Sequence, residues 1–239
     1  MSNGPTFNKP IQDSNILTGF SATGNAQQCF NFNIRAESRP IHSISYERNE
    51  DFIPRPNIIL QIEEVLPMDA DEYRSAATWG LGGSGKTQVA FEYAYKRYHT
   101  SPCAVFWVHA DNESSFAHDY ALIANALDLS HQENIHKFLH RVRQKIELLE
   151  NWLLVLDNAD DLSLFGVGTA TQNRTGKLLG YVPRGPVGTV LWTSRDQAIA
   201  GSLVGLRRSI HVPSMTLEES RALLKSTIPQ IKANKSSKI

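Results

Sequence analysis

Eight residues, Gly80-Leu81-Gly82-Gly83-Ser84-Gly85-Lys86-Thr87, constrain this chain more than any other stretch. They fit the pattern G-x-x-x-x-G-K-[ST] without a mismatch, and each position carries a physical task. Glycines let the backbone take positive φ angles and turn its N–H groups inward as a nest for an anion. A helix that begins where such a loop ends adds unpaired N–H groups and the positive end of its dipole. Lys86 supplies a point charge for β- and γ-phosphates, and Thr87 a hydroxyl for Mg2+. That mechanism needs a strand before the loop and a helix after it. Ala76-Ala77-Thr78-Trp79 reads as the strand, and Lys86 to Tyr98 reads as the helix, with Val89, Ala90, Tyr93 and Ala94 on one side.

The surrounding pattern extends this unit. Arg55-Pro56 marks a helix start, because proline suits a first turn. Ile58, Ile59, Ile62 and Val65 then form a helical stripe. Ala104 to His109 reads as a strand, Ser114 to Leu127 and Ile135 to Leu149 as helices, and Trp152 to Asp157 as an apolar strand ending in an acid. Thr189 to Thr193 is a further strand, and Ser209 to Val212 a fifth and weaker one. A short helix fits Lys177 to Tyr181, before Pro183, Gly185, Pro186 and Gly188 break the chain. Strands separated by helices imply a parallel sheet covered on both faces. Thr216 is the expected N-cap of a last helix reaching Leu224, with Glu218 and Glu219 in its first turn. Residues 1–47 are rich in Asn, Gly, Ser, Thr and Gln with no apolar periodicity, so disorder is the expectation there.

Two strand ends carry candidate chemistry. Leu153-Leu154-Val155-Leu156-Asp157 places a carboxylate at the end of a buried strand, where a doubly wound sheet opens its ligand crevice. From there Asp157 can reach Mg2+, directly or through water. Asn158 follows and cannot take a proton as a carboxylate does. Asp160 and Asp161 come next: either suits a water-orienting role, and Asp160 equally suits capping the turn. At the second strand end, Thr193-Ser194-Arg195 is placed to watch the γ-phosphate, with Arg195 as a bidentate partner or else a plain surface arginine.

Lys plus Arg number 24, equal to Asp plus Glu at 24, a balance that argues against a basic nucleic-acid surface as the main function. Two cysteines, Cys29 and Cys103, make neither a disulfide framework nor a zinc site, so a reducing compartment is the default. No apolar run approaches the roughly 18 residues of a membrane span, and the first residues lack the form of a signal peptide. The expectation is a soluble cytoplasmic protein that engages neither nucleic acid nor membrane.

Three strings together resemble a known family: Ala77 to Ala90 around the glycine loop, Val105-Phe106-Trp107-Val108-His109-Ala110, and Trp152 to Asp161. They are similar to the NB-ARC domains of fungal NOD-like receptors of the STAND class, over about Phe52 to Leu224. The resemblance implies an α/β fold, a P-loop NTPase three-layer sandwich with a doubly wound, parallel, five-stranded sheet. It implies a domain over residues 48–212, followed at 213–239 by the start of a helical ARC subdomain. It implies ADP or ATP with Mg2+, held by Gly80, Gly82, Gly83, Ser84, Gly85, Lys86, Thr87 and Gln88, with Thr87 and Asp157 at the metal. Phe52-Ile53-Pro54-Arg55 resembles the segment that wraps adenine and ribose, which assigns Ile53 and Arg55 to the nucleotide, although Pro54 stands where the family has glycine. Thr193-Ser194-Arg195 resembles the sensor strand. Asp157, Asp160 and Arg195 are then the candidates for any hydrolysis.

The function implied is a nucleotide-controlled signalling switch, in fungal innate immunity or heterokaryon incompatibility, that forms a homo-oligomer on activation. The Gly-x-Pro and Met-His-Asp motifs of the family's later subdomains are not present, so the chain reads as a truncated receptor, a short isoform or an incomplete gene model. Residues 1–47 also resemble the Asn/Gly-rich amyloid-forming motifs that template an effector protein by cross-β stacking. Against the switch stand an active ATPase of the motor or chaperone type, a metabolic kinase, and a non-catalytic fragment acting through its N-terminal segment.

Overall fold

Four strands carry buried side chains on both faces of an extended backbone and are therefore covered on both sides: β2 (Arg74–Trp79), β3 (Ala104–His109), β4 (Trp152–Asp157) and β5 (Thr189–Ser194). The shorter β6 (Ser209–His211) buries only Ile210 and leaves His211 exposed. In the computed structural model the described residues are 41–44, 48–68, 72–100, 102–130, 134–168 and 177–227. The N-terminal segment expected to be disordered or amyloid-forming lies outside the described residues, apart from residues 41–44.

The sheet has six strands, not the expected five, in the order β1-β3-β4-β5-β2-β6, and every pair is parallel. The additional strand, β1 (His42–Ser43), pairs with Val105 and Phe106 at the edge of β3. Two residues are too few to show an apolar period. This strand exists because β3 offers an open edge, as in the bond from Val105 N–H to Ile41 O at 2.9 Å.

Among the described residues five α-helices accompany the sheet: α1 (Pro56–Val65), α2 (Lys86–Thr100), α3 (Glu113–Ala126), α4 (Ile135–Glu147) and α5 (Leu217–Thr227). Strand side chains alternate between faces. Val105, Trp107, Leu153, Val155 and Leu191 meet α1 and α2 through Ile58, Ile62, Val89, Ala90 and Tyr93. Phe106, Val108, Leu154, Leu156 and Trp192 meet α3 and α4 through Phe116, Tyr120, Ile123, Phe138 and Val142. The result is a three-layer sandwich with the sheet in the middle.

Local signals explain the helix ends. Asn112 caps α3 by accepting from Ser115 N–H at 2.9 Å. Thr216 and Glu219 form a reciprocal capping box before α5: Glu219 N–H donates to Thr216 Oγ1 at 3.1 Å, and Thr216 N–H to Glu219 Oε2 at 2.7 Å. The expected helix at Lys177 to Tyr181 is a single 3-10 turn, Leu178–Tyr181. Gly188 is required where the chain crosses Trp152, since a Cβ there would lie 2.0 Å from the indole and φ is +112°.

Candidate functional site

β2, ending at Trp79, and α2, beginning at Lys86, place the glycine loop at the carboxyl end of the sheet. Within it Gly80, Gly83 and Gly85 take φ of 155°, 77° and 90°. A Cβ added at Gly83 or Gly85 meets no atom within 4 Å, so backbone conformation rather than space demands glycine at those two positions. At Gly80 space matters too, because a Cβ there would lie 2.4 Å from Val212 O. The loop closes on itself through Ser84 N–H to Leu81 O at 3.2 Å and passes into the helix through Val89 N–H to Gly85 O at 2.9 Å. Lys86 is buried, and its Nζ donates to Gly80 O at 3.0 Å and Leu81 O at 2.9 Å. Burial holds its pKa below the ordinary lysine value, while Asp160 and Asp157 pull the other way. The Ser84 hydroxyl is buried without a hydrogen-bond partner among the described residues.

Asp157 stands across the loop mouth on β4, only 3% exposed. Its Oδ1 accepts from Thr87 Oγ1 at 3.0 Å and from Thr193 Oγ1 at 2.5 Å. Burial pushes its carboxyl pKa up, and the hydroxyls of Thr193 and Thr87 offset part of that rise. Thr193 also accepts from Asn158 N–H at 2.9 Å. Asn158 has φ of 62°, a left-handed turn that asparagine tolerates and that swings the chain away from the strand end. Three neighbouring elements thus meet through one hydrogen-bonded chain: α2 by Thr87, β4 by Asp157 and β5 by Thr193.

One hydroxyl and one carboxylate fall well short of a protein-only metal cage. Among the described residues no group of three or more His, Cys, Asp or Glu is placed to hold an ion. That donor set fits Mg2+, which keeps water and takes its remaining oxygens from a nucleotide. The glycine loop at a helix N-terminus and the buried ammonium of Lys86 suit phosphate in the same way.

At the β5 end, Arg195 is held by a carboxylate. Arg195 N–H donates to Asp160 Oδ1 at 2.7 Å, and Arg195 Nε pairs with Asp160 Oδ2 at 2.8 Å. The two candidates for hydrolytic chemistry therefore hold one another. The Arg195 side chain, 65% exposed, also passes over Gly82, with Nη1 3.9 Å from where a Cβ would stand. Asp161 caps the turn Leu162–Phe165 by accepting from Ser163 N–H at 3.0 Å.

The segment expected at adenine and ribose splits between two environments. Phe52, Pro54 and Arg55 border a cavity of about 990 Å³, closed on its other side by Glu92, Tyr95, Lys96 and His99 of α2. None of the loop glycines lines it. Ile53 is half-buried. Gln88 accepts at Oε1 from Asn49 Nδ2 at 3.0 Å. Arg55 is turned into the protein, where its Nη1 donates to Ser84 O at 2.9 Å.

One pair was missed from sequence. Asp119, buried on α3, accepts from His109 N–H at 2.7 Å and lies 2.8 Å from His109 Nδ1. His109 is in register with Asp157, so this pair pins α3 to the strand end beside the carboxylate. The available signal was an acid on the otherwise apolar stripe Phe116, Tyr120, Ile123.

No family model matches the chain. It is 30% identical over 201 residues to a nucleotide-binding leucine-rich repeat (NLR)-like protein of Hyaloscypha variabilis, a match spanning 80% of this chain and 20% of that protein. The chain therefore spans about one fifth of that relative's length. Among solved structures it is similar to Cdc6p of Pyrobaculum aerophilum, with a TM-score of 0.50 and 15% identity, over 74% of this chain and 52% of that one. It is similar also to the Orc1 protein of Aeropyrum pernix, solved in complex with DNA, with a TM-score of 0.50 and 17% identity, over 74% of this chain and 50% of that one. At such identities the likeness is one of fold alone, an α/β sandwich. No helix among the described residues is long and apolar enough to cross a membrane.

Proposed function

We propose that this chain is the nucleotide-binding module of a signalling switch of the NB-ARC/STAND type, which holds ADP or ATP together with Mg2+. The observation that carries this reading is the bond from Thr87 Oγ1 to Asp157 Oδ1 at 3.0 Å, which joins the glycine loop to the acidic strand end. The similarity to an NLR-like protein supports it. In this reading the loop amides and Lys86 bind the phosphates, Thr87 and Asp157 hold the metal, and Thr193 fixes the Asp157 rotamer. Mg2+, when bound, neutralises charge on the phosphates.

Turnover is slow in this reading. Asn158 puts no carboxylate beside Asp157, and both oxygens of Asp160 are engaged by Arg195. A bound nucleotide then persists and serves as a signal. ADP and ATP differ at the γ-phosphate, and Arg195, lying over Gly82, is the side chain best placed to feel that difference. Nucleotide biases such a switch only through unequal affinity for two states. Oligomerisation in the ATP state, an effector engaged by residues 1–47, and a cytoplasmic setting belong to the same proposal.

The test is to purify the chain, release any bound ligand by denaturation and identify it by chromatography, with Lys86→Ala as the control. Stoichiometric ADP or ATP in the native chain, and its loss from the variant, supports the reading. An empty native chain that also fails to bind added Mg-ADP or Mg-ATP refutes it.

A further inference from the structure

Arg55 is 5% exposed, and a guanidinium that deep needs partners for its donors. Three hydrogen bonds tie it to three separate parts of the chain. Nη1 donates to Ser84 O in the phosphate loop at 2.9 Å. Nη2 donates to Pro213 O in the crossing after β6 at 2.9 Å. Nε meets Glu219 Oε1 in the first turn of α5 at 3.2 Å.

The Ser84 contact bears on phosphate binding. In a trans peptide the C=O and the following N–H point in opposite directions. Drawing the Ser84 carbonyl onto Arg55 therefore turns Gly85 N–H the other way, away from Arg55. Gly85, at φ of 90°, is free to follow.

The Glu219 contact bears on α5. Its second oxygen closes the capping box with Thr216 N–H at 2.7 Å, so Glu219 cannot swing away without uncapping the helix. That N–H first, and Arg55 after it, hold the Glu219 carboxyl below its ordinary pKa. The crossing also presses on the loop directly: Val212 N–H donates to Trp79 O at 2.8 Å, and Val212 O stands where a Gly80 side chain would be.

We propose that Arg55 is a positioning residue that ties the shape of the phosphate loop to the seat of α5, with Glu219 as its anchor. The proposal rests on the nucleotide-binding reading for its function, although the mechanical link does not need a ligand to be seen. A displacement of α5 loosens Ser84 and weakens the loop's hold on phosphate. By reciprocity, phosphate in the loop steadies α5. Whatever partner grips α5 then regulates the nucleotide without touching it.

The experiment uses the full chain as wild type, Glu219→Ala and Arg55→Lys. Lysine keeps the charge but has no planar fork to bridge three acceptors. Hydrogen exchange is measured at Ser84, Gly85 and Lys86, with the amides of β4 as an internal reference for global stability. Affinity for a fluorescent ADP analogue with Mg2+ is measured alongside. In the ligand-free variants the loop amides exchange at least about 5-fold faster relative to β4, and the analogue binds about 10-fold more weakly, a loss of about 1.4 kcal/mol. In wild type the analogue slows exchange across the first turn of α5, and in Glu219→Ala it no longer does so at saturation. Loop exchange and affinity both unchanged in the two variants would overturn the proposal. Faster loop exchange in variants of a chain that binds no nucleotide would uphold the link and sink the nucleotide reading.

Discussion

Replacing Asp157 by asparagine separates the stability of the site from its chemistry. Both threonine hydroxyls converge on Oδ1, at 3.0 Å from Thr87 and 2.5 Å from Thr193, and an amide oxygen can accept the same two bonds. What disappears is a buried charge. Burial raises the folded-state pKa of Asp157 above its ordinary 3.8. A group with a raised folded pKa contributes stability that is present below its unfolded value and lost as pH rises through the folded one. Without ligand, Asp157→Asn therefore melts at or above the wild-type temperature at pH 7, and its advantage shrinks as pH falls toward 4. Asp157→Ala removes the acceptor instead and leaves two hydroxyls unpaired, costing about 1–3 kcal/mol.

The ligand-bound comparison goes the other way. At a concentration 100 times Kd, Mg-ADP stabilises the wild type by about 2.7 kcal/mol. For a domain of this size that is about 5–10 °C in Tm. A unit charge about 4 Å from the ion, at an effective dielectric of 20, is worth about 4 kcal/mol per ion charge. A loss of only 2.7 kcal/mol is already a 100-fold weaker complex, roughly. At the same ligand concentration the variant then gains about 0.4 kcal/mol, or about 1–2 °C. The assay is a thermal melt with Mg-ADP, with ADP plus chelator, and with neither. A variant that keeps the full Mg2+-dependent gain, or that melts 5 °C or more below wild type without ligand (roughly 2 kcal/mol), would refute this account of Asp157.

Two further substitutions probe the neighbours. Gly80→Ala puts a Cβ 2.4 Å from Val212 O at φ of +155°, so the β2 end or the crossing must shift. It lowers stability by about 1–3 kcal/mol, read as a drop in Tm by circular dichroism, and an unchanged melt would contradict the clash. Asp160→Asn breaks an ion pair whose side chains are 31% and 65% exposed, so the melt moves by under about 1 kcal/mol. Steady-state phosphate release stays within about 3-fold of wild type if Asp160 is only the holder of Arg195, whereas a fall of about 100-fold would install it as a general base.

What could be read from the sequence depended on how far apart the cooperating residues lie along the chain. The shape of the glycine loop was legible because it lies within eight consecutive residues, where glycine allows the positive φ angles that Gly80, Gly83 and Gly85 adopt. Asp157 was legible because a strand that is apolar on both faces must end somewhere, and its end faces the crevice. Strand β1 was not, because two residues have no period and the bond that holds them belongs to β3. Residue type marks Asn158 only as lacking a carboxylate, whereas the fold gives it a left-handed turn and an N–H bond to Thr193 Oγ1, the same hydroxyl that donates to Asp157.

Arg55 marks the limit of such reading most sharply. Its residue type said only that a cation stood near a helix start, and resemblance assigned it to the nucleotide. Its three partners lie 29, 158 and 164 residues further along the chain, a set of distances that no local pattern encodes. A buried guanidinium chooses partners by what the finished fold brings within reach, and here it reaches carbonyls on two loops and a carboxylate on α5. Groups whose task is to join parts therefore have contacts that sequence reading does not supply. They are also the groups through which a change at α5 can arrive at the phosphate loop.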